Sequence, residues 1–344
     1  MLDDLKLIHE RDAQDALGIA EKQGQQLIYN FLPDPKITLD HVYNIVYTGM
    51  GGSALAAMFV HTWPLIKEPF EIVRDYQLPE YVDKDTLVIV SSYSGNTEET
   101  LSSLADAESR GANIVVISSG GKLSEIAQHK GYPLYCIPKD YQPRYAVLYC
   151  FKALVDLLSK VNLVGTDDRS GSLKQASDFI DNAVKSWRPD VITSQNYAKQ
   201  LALDIVGKSV VIYAGPKLYP AAYKWKISFN ENAKNIAWCN QYPEFNHNEF
   251  LGWTSQPLEK PYAVVDLRSK LESQQVQKRF EISERLLSGR RPAPLVVEAE
   301  GQTILEQMLW VVALGDFVSI YTAILNGLNP SPVDLIEKFK KQLV

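Results

Sequence analysis

Ser92, Ser94 and Thr97 surround Gly95 in the stretch TLVIVSSYSGNTEETL, and Ser53 follows Gly49-Met50-Gly51-Gly52 in VYNIVYTGMGGSALAAMFV. In both stretches an apolar, β-branched run passes through a turn of small residues into helix-forming sequence. Glycines let a backbone pass close to an anion, and the first turn of the following helix presents free N–H groups and a partial positive charge. Thr97 is also a natural N-cap ahead of Glu98 and Glu99. Gly49-x-Gly51-x-x-Ala54 fits the dinucleotide fingerprint as well, with Asp75 at a suitable distance after the second strand. That motif is weak by itself. Two hydroxyl-bearing turns delivered by neighbouring strands enclose a phosphate monoester better than a bridging diester, so Gly51, Gly52, Ser53, Ser92, Ser94 and Thr97 are read as a monoester site.

These turns need a frame. After a helical stretch from about Leu5 to Tyr29, strand-like runs near Val42–Tyr47, Phe70–Val73, Thr86–Val90, Asn113–Ser118 and Leu134–Ile137 alternate with helical ones after Ser53, after Thr97, after Gly121 and from Arg144 to Lys160. Such alternation predicts an α/β fold with a doubly wound, mainly parallel sheet flanked by helices. Around VNLVGTDDRSGSLKQ the chain turns polar, which sets an expected boundary between residues 1–165 and 166–344. The layout then restarts: a strand at Val210–Tyr213, a Gly215-Pro216 turn, a helix from about Leu218, and strand-like KPYAVVDLRS and PAPLVVEAEG, each followed by helical sequence. The second copy lacks the GMGGS segment, so the chemistry should differ between the halves.

Composition limits the partners. The formal charge of −6 over 344 residues argues against nucleic acid or an anionic membrane as the main partner. Cys136, Cys150 and Cys239 form no CxxC pair and are expected to be buried reduced thiols. No apolar run is read as long enough to span a membrane, and MLDDLKLIHERDAQ is charged where a signal peptide is apolar. A soluble, cytoplasmic protein is expected.

GMGGSA and SSYSGNTEET resemble the two signatures of the sugar isomerase (SIS) domain. With YQPRYA, FNENAKNIAWCNQYPEFNHNEFLGW and the terminal NPSPVDLIEKFKKQL in that order, the chain is similar over nearly its whole length to the bifunctional phosphoglucose/phosphomannose isomerases of bacteria and archaea. The resemblance implies two SIS-type subdomains and interconversion of glucose 6-phosphate or mannose 6-phosphate with fructose 6-phosphate through a cis-enediol. It also implies a homodimer; no metal or cofactor is expected, because an enediolate beside an arginine requires none and no His/Asp/Glu cluster has ligand spacing.

Moving a proton between C1 and C2 needs a base, a cation near the enediolate oxygens, and groups that open the sugar ring. A lone Glu231 would be read as a surface residue, but its place in the ENAK-like segment implies that it is the base. Apolar flanks suit it to a raised pKa. His247, sixteen residues further on, is by the resemblance a ring-opening histidine reaching the site from the neighbouring subunit. Arg144, after Pro143, offers a planar guanidinium to the enediolate oxygens. The family's C-terminal lysine falls among Lys338, Lys340 and Lys341, and Lys340 is taken because it follows the apolar Phe339. Dual-specificity members carry a small hydroxyl residue where strict glucose enzymes have a larger amide, and Ser331 holds that place here. Two other readings stand beside this one: another SIS-type isomerase of 6-phosphosugars, and a non-catalytic sugar-phosphate sensor.

Overall fold

Residues 1–39, 41–64, 66–165, 168–255 and 261–343 are described by the computed structural model. The chain divides into two compact units, Gln23–Asp178 and a second made of Met1–Lys22 with Phe179–Val344. This differs from the expected division at 165/166 in two ways: the first 22 residues belong with the C-terminal half, and the first unit runs on to Asp178. Polar contacts within the second unit give the reason for the first. Asp3 Oδ1 accepts from the Thr193 N–H at 2.8 Å and from its hydroxyl at 2.7 Å, and Arg188 pairs with Glu21. The helical stretch expected over Leu5–Tyr29 is also broken, into α1 (Leu5–Arg11), α2 (Ala16–Glu21) and a 3-10 turn over Gln23–Ile28. The Asp12 carboxylate takes the N–H groups of Ala16 and Leu17 at 2.8 and 2.9 Å, which ends one helix and starts the next.

The first unit runs β1 (Asn44–Thr48), α3 (Gly51–Val60), β2 (Phe70–Val73), β3 (Thr86–Ser92), α4 (Glu98–Ser109), β4 (Asn113–Ser118), α5 (Gly121–Lys130), β5 (Leu134–Cys136) and α6 (Val147–Lys160). A 3-10 turn over Pro143–Tyr145 precedes α6, so Arg144 lies in that turn and not in the helix. The sheet order is β2-β1-β3-β4-β5, with every pair parallel. All seven residues of β3 are buried, as a central strand covered on both faces requires. Because the chain leaves β1 for β2 on one side and returns to β3 on the other, the turns after β1 and β3 face each other across the topological switch point. Open α/β sheets bind ligands at that crevice.

Helix α7 (Arg169–Ala183) leads into the second unit, which continues with α8 (Tyr197–Ile205), β6 (Ser209–Ala214), α9 (Tyr219–Glu231), β7 (Ala237–Gln241) and α10 (Glu249–Gly252). It ends with β8 (Tyr262–Arg268), α11 (Gln274–Leu286), β9 (Leu295–Glu298), α12 (Ile304–Leu325) and α13 (Asp334–Lys340). The sheet order β7-β6-β8-β9, again all parallel, repeats the first four positions of the other sheet. Right-handed crossovers in opposite directions from β6 put α9 on one face of this sheet and the β7–β8 connection with α11 on the other.

Helix α12 corrects the sequence reading that no apolar run approaches a membrane span. It has 22 residues and is long and apolar enough to cross a membrane by length and composition. Every residue from Leu305 to Ile324 is buried, and α2, α8 and α9 pack against it. Its composition is accounted for by its place as the central helix of this unit.

Candidate functional site

In the first unit the turns after β1 and β3 are strapped together. The Tyr93 N–H donates to Ser53 Oγ at 3.1 Å, joining the two sides of the switch crevice. Ser92 Oγ lies 2.8 Å from Thr97 Oγ1 and accepts from the Gly95 N–H at 3.1 Å. Ser94 is exposed, and its hydroxyl accepts from the Asn96 N–H at 3.3 Å. Thr97 holds the N-cap position of α4, as expected, but its hydroxyl caps no helix N–H. It turns instead towards Ser92, which leaves the first-turn N–H groups of α4 for another acceptor. Ser53, Ser92 and Thr97 thus lie in the two turns that flank the switch point, while the Ser94 hydroxyl bonds within its own loop.

Gly51 is exposed with φ +51°, and Gly52 is buried where the 3-10 turn crosses it. A Cβ on Gly52 would lie 3.1 Å from Pro143 C and O and 3.2 Å from Arg144 N. That approach brings Arg144 to the start of α3. Arg144 is buried, with its guanidinium carbon 4.6 Å from the centroid of the Tyr145 ring.

In the second unit, Glu231 is the last residue of α9 and is half-buried. The residue that organises this helix end is Lys234, which the sequence reading passed over. Lys234 adopts the left-handed conformation at φ +52°. Its Nζ donates to the carbonyls of Glu231 (2.9 Å), Asn232 (3.2 Å), Asn329 (3.0 Å) and Pro330 (2.9 Å). An ammonium shared by four carbonyls neutralises the negative end of α9 and ties it to the segment entering Ser331. Ser331 is buried, with its N–H donating to Asn329 Oδ1 at 3.0 Å. The only sequence signal for this clamp was a lysine three residues past Glu231 in the ENAK segment.

His247 is exposed at the end of a 3-10 turn over Glu244–His247, whose Phe245 is buried. That turn lies on the α11 face of the sheet: the Phe245 ring is 4.4 Å from that of Tyr213, and Tyr242 is 4.1 Å from Phe280 of α11. Glu231, at the end of α9, belongs to the opposite face. Lys340 is exposed on α13, and its ammonium is held by Glu337 at 3.0 Å.

Two further glutamates flank His247 in the sequence. Glu249 bonds to the Tyr213 hydroxyl and accepts from Asn240 Nδ2 at 2.7 Å, and Glu244 accepts from Asn248 Nδ2 at 2.6 Å. A cavity of about 200 Å³ is lined by Val211, Trp238, Glu249, Gly252, Trp253 and Tyr262. Its aromatic walls hold none of the predicted site residues and offer no cation to a phosphate. Among the described residues, no group of three or more His, Cys, Asp or Glu side chains is placed to hold a metal ion. Of the three cysteines only Cys150 is buried, with its thiol pushed up to about 12 by burial. Cys136 is exposed and Cys239 half-buried, contrary to expectation, because each lies in a strand at the edge of its sheet.

Comparison with known proteins places these residues in context. Residues 38–153 match the family model of the SIS domain, and residues 194–343 match that of the bacterial phospho-glucose isomerase C-terminal SIS domain. The chain is 35% identical to the bifunctional phosphoglucose/phosphomannose isomerase of Aquifex aeolicus, over 87% of this chain and 90% of that one. It is 37% identical to the D-glucosamine-6-phosphate 4-epimerase of Sulfolobus acidocaldarius, over 62% of this chain and 64% of that one. A glucose-6-phosphate isomerase like protein from Thermus thermophilus shares the fold, with a TM-score of 0.66 at 16% identity over 99% of this chain and 98% of that one.

Proposed function

The chain belongs to the bifunctional phosphoglucose/phosphomannose isomerases and is a sugar-phosphate isomerase, and from that premise we propose that it interconverts glucose 6-phosphate and mannose 6-phosphate with fructose 6-phosphate through a cis-enediol. The observation that carries this reading is the bond from the Tyr93 N–H to Ser53 Oγ, which joins the turn into α3 to the turn into α4, where the Ser92 and Thr97 hydroxyls sit side by side. Gly51, Gly52, Ser53, Ser92, Ser94 and Thr97 hold the phosphate. Arg144 stabilises the enediolate oxygens. Glu231 moves the proton between C1 and C2, and Lys340 assists ring opening. Ser331, fixed beside the end of α9 by the Lys234 clamp, leaves room for rotation about C2–C3, so both epimeric aldoses collapse to one enediol. His247 assists ring opening from a second copy of the chain in a homodimer. Its place across the sheet from Glu231 supports that sharing, because one chain presents the two groups on opposite faces. The enzyme acts in the cytoplasm and uses no metal or cofactor, the guanidinium taking up the developing charge.

Turnover of each aldose phosphate, followed as fructose 6-phosphate formation with EDTA present, tests this reading, and both substrates should be converted. Tight binding of fructose 6-phosphate without turnover would make the protein a sensor. The match to a 4-epimerase supports a second reading, which inversion at C4 of glucosamine 6-phosphate in the same assay series would favour.

The phosphate loops carry their own prediction. Ser53→Ala and Thr97→Ala each remove a hydrogen bond to a charged group, worth about 1.5–3 kcal/mol. The phosphate is bound in every state along the reaction, so KM should rise about ten- to a hundredfold with kcat little changed. Thr97→Ser should keep the parent KM. If both alanine variants bind fructose 6-phosphate as tightly as the parent, the anion site lies elsewhere.

A further inference from the structure

The second unit repeats the crevice of the first but fills it from within. Its switch point lies between β6 and β8, whose turns lead into α9 and α11 as those of β1 and β3 lead into α3 and α4. Gly215 directly follows β6, as Gly49 directly follows β1. Here the hydroxyls of the turn after β8 are used elsewhere: Ser269 Oγ donates to Gln307 Oε1 at 2.5 Å, and Ser273 Oγ caps α11 by accepting from the Val276 N–H at 3.3 Å. Instead the turn sends over Glu272, which is only 7% exposed. Glu272 Oε1 accepts from the Lys217 N–H at 2.7 Å, while the Leu218 N–H, next in line at the entrance to α9, closes the turn onto the Gly215 carbonyl at 3.1 Å. A Cβ on Gly215 would lie 2.4 Å from Glu272 Oε1 and 2.6 Å from its Cδ, so the carboxylate rests directly on the glycine turn. Close approach of an anion to a glycine turn ahead of a helix, with a backbone N–H of the turn aimed at it, is how such turns bind phosphate.

We infer that Glu272 is an internal stand-in for a phosphate: the second unit retains an anion site at its switch point, of the kind that takes inorganic phosphate or a phosphate monoester, and this side chain occupies it. Burial leaves the Glu272 pKa raised overall, although the Lys217 N–H and the Lys217 charge both pull it down. A duplicated fold then holds one substrate phosphate per chain. The sealed copy also anchors the N-terminus of α9, the helix that ends at Glu231.

The test uses the full chain, Glu272→Ala and Glu272→Gln, with inorganic phosphate as the probe. Calorimetry should find one more phosphate per chain for Glu272→Ala than for the parent. Amide resonances of Lys217 and Leu218 should shift on addition only in that variant, and its lowered midpoint of thermal unfolding should recover in phosphate but not in chloride of equal ionic strength. Glu272→Gln keeps an oxygen acceptor without the charge; it should unfold below the parent and gain no extra phosphate. A folded Glu272→Ala with no added phosphate and no shift at Lys217 overturns the inference. If Glu272→Ala does not fold in either salt, the glutamine variant decides: a midpoint equal to the parent's means that no anion is required, and the inference fails.

Discussion

Glu231→Gln should lower kcat by about 10²–10⁴-fold, the usual worth of a general base, for both aldose phosphates, with KM little changed. The substitution keeps the length and shape of the side chain, and the Lys234 clamp on this end of α9 uses backbone carbonyls. Lys234 grips the carbonyls of Glu231 and Asn232, which glutamine leaves in place. A fall in kcat therefore reports lost chemistry and not a displaced helix. Solvent exchange makes the test specific. In deuterated water the parent should exchange label into C2 of the aldose phosphate, and the variant should lose that exchange in step with turnover. Turnover lost with exchange intact would mean that another group is the base. Glu244 and Glu249, which flank His247 and are each held by a neighbouring side chain, would then be the first to examine.

How far the sequence led depended on the range of the interactions involved. The alternation of strand, small-residue turn and helix is local, so both parallel sheets and their duplication were legible. The hydroxyl loops were legible because their residues lie within one turn of a strand end. What escaped depends on contacts distant in the chain. Met1–Lys22 joins the C-terminal half through Asp3 with Thr193 and Glu21 with Arg188. The seal of the second crevice joins Lys217 to Glu272. The Lys234 clamp reaches Asn329 and Pro330, and no local pattern marks it. Strand β7, AWCNQ, is short and mixed in polarity because it is an edge strand, which hides its period. In α12, Glu306, Gln307 and Asp316 interrupt an otherwise apolar run, so its length was not read as one element. Thr97 shows the reverse error. Its position was read correctly as an N-cap and its hydroxyl was assigned to the wrong partner, since only the fold shows Ser92 at 2.8 Å.

Asp316→Ala should destabilise the protein by about 3–5 kcal/mol, the cost of leaving a buried charge without its partner. Asp316 of α12 and Lys224 of α9 are both almost wholly buried and form an ion pair. Ser228 completes the group, donating to Asp316 Oδ1 at 2.7 Å and accepting from Lys224 Nζ at 2.7 Å. Nearby, Asn232 Nδ2 donates to Ser319 Oγ at 2.9 Å and Trp225 Nε1 to the Val311 carbonyl at 2.6 Å, so polar contacts fasten α9 to α12 along its length. Removing the carboxylate strands an ammonium where water cannot solvate it, and the midpoint of thermal unfolding should fall by on the order of 10 °C. Salt should alter that loss little, because buried pairs are weakly screened. The pair's net worth is a separate quantity. Lys224→Met with Asp316→Leu replaces both charges by apolar groups of similar size, which is often neutral, so the double variant should regain most of the stability lost in Asp316→Ala. A double variant as unstable as the single one would mean that packing at Asp316, and not its charge, holds the helices together. Activity adds a second reading of the same variants. Because α9 carries Glu231 at its end, a double variant restored in stability but still slow in turnover would show that the polar seam also sets the position of the base.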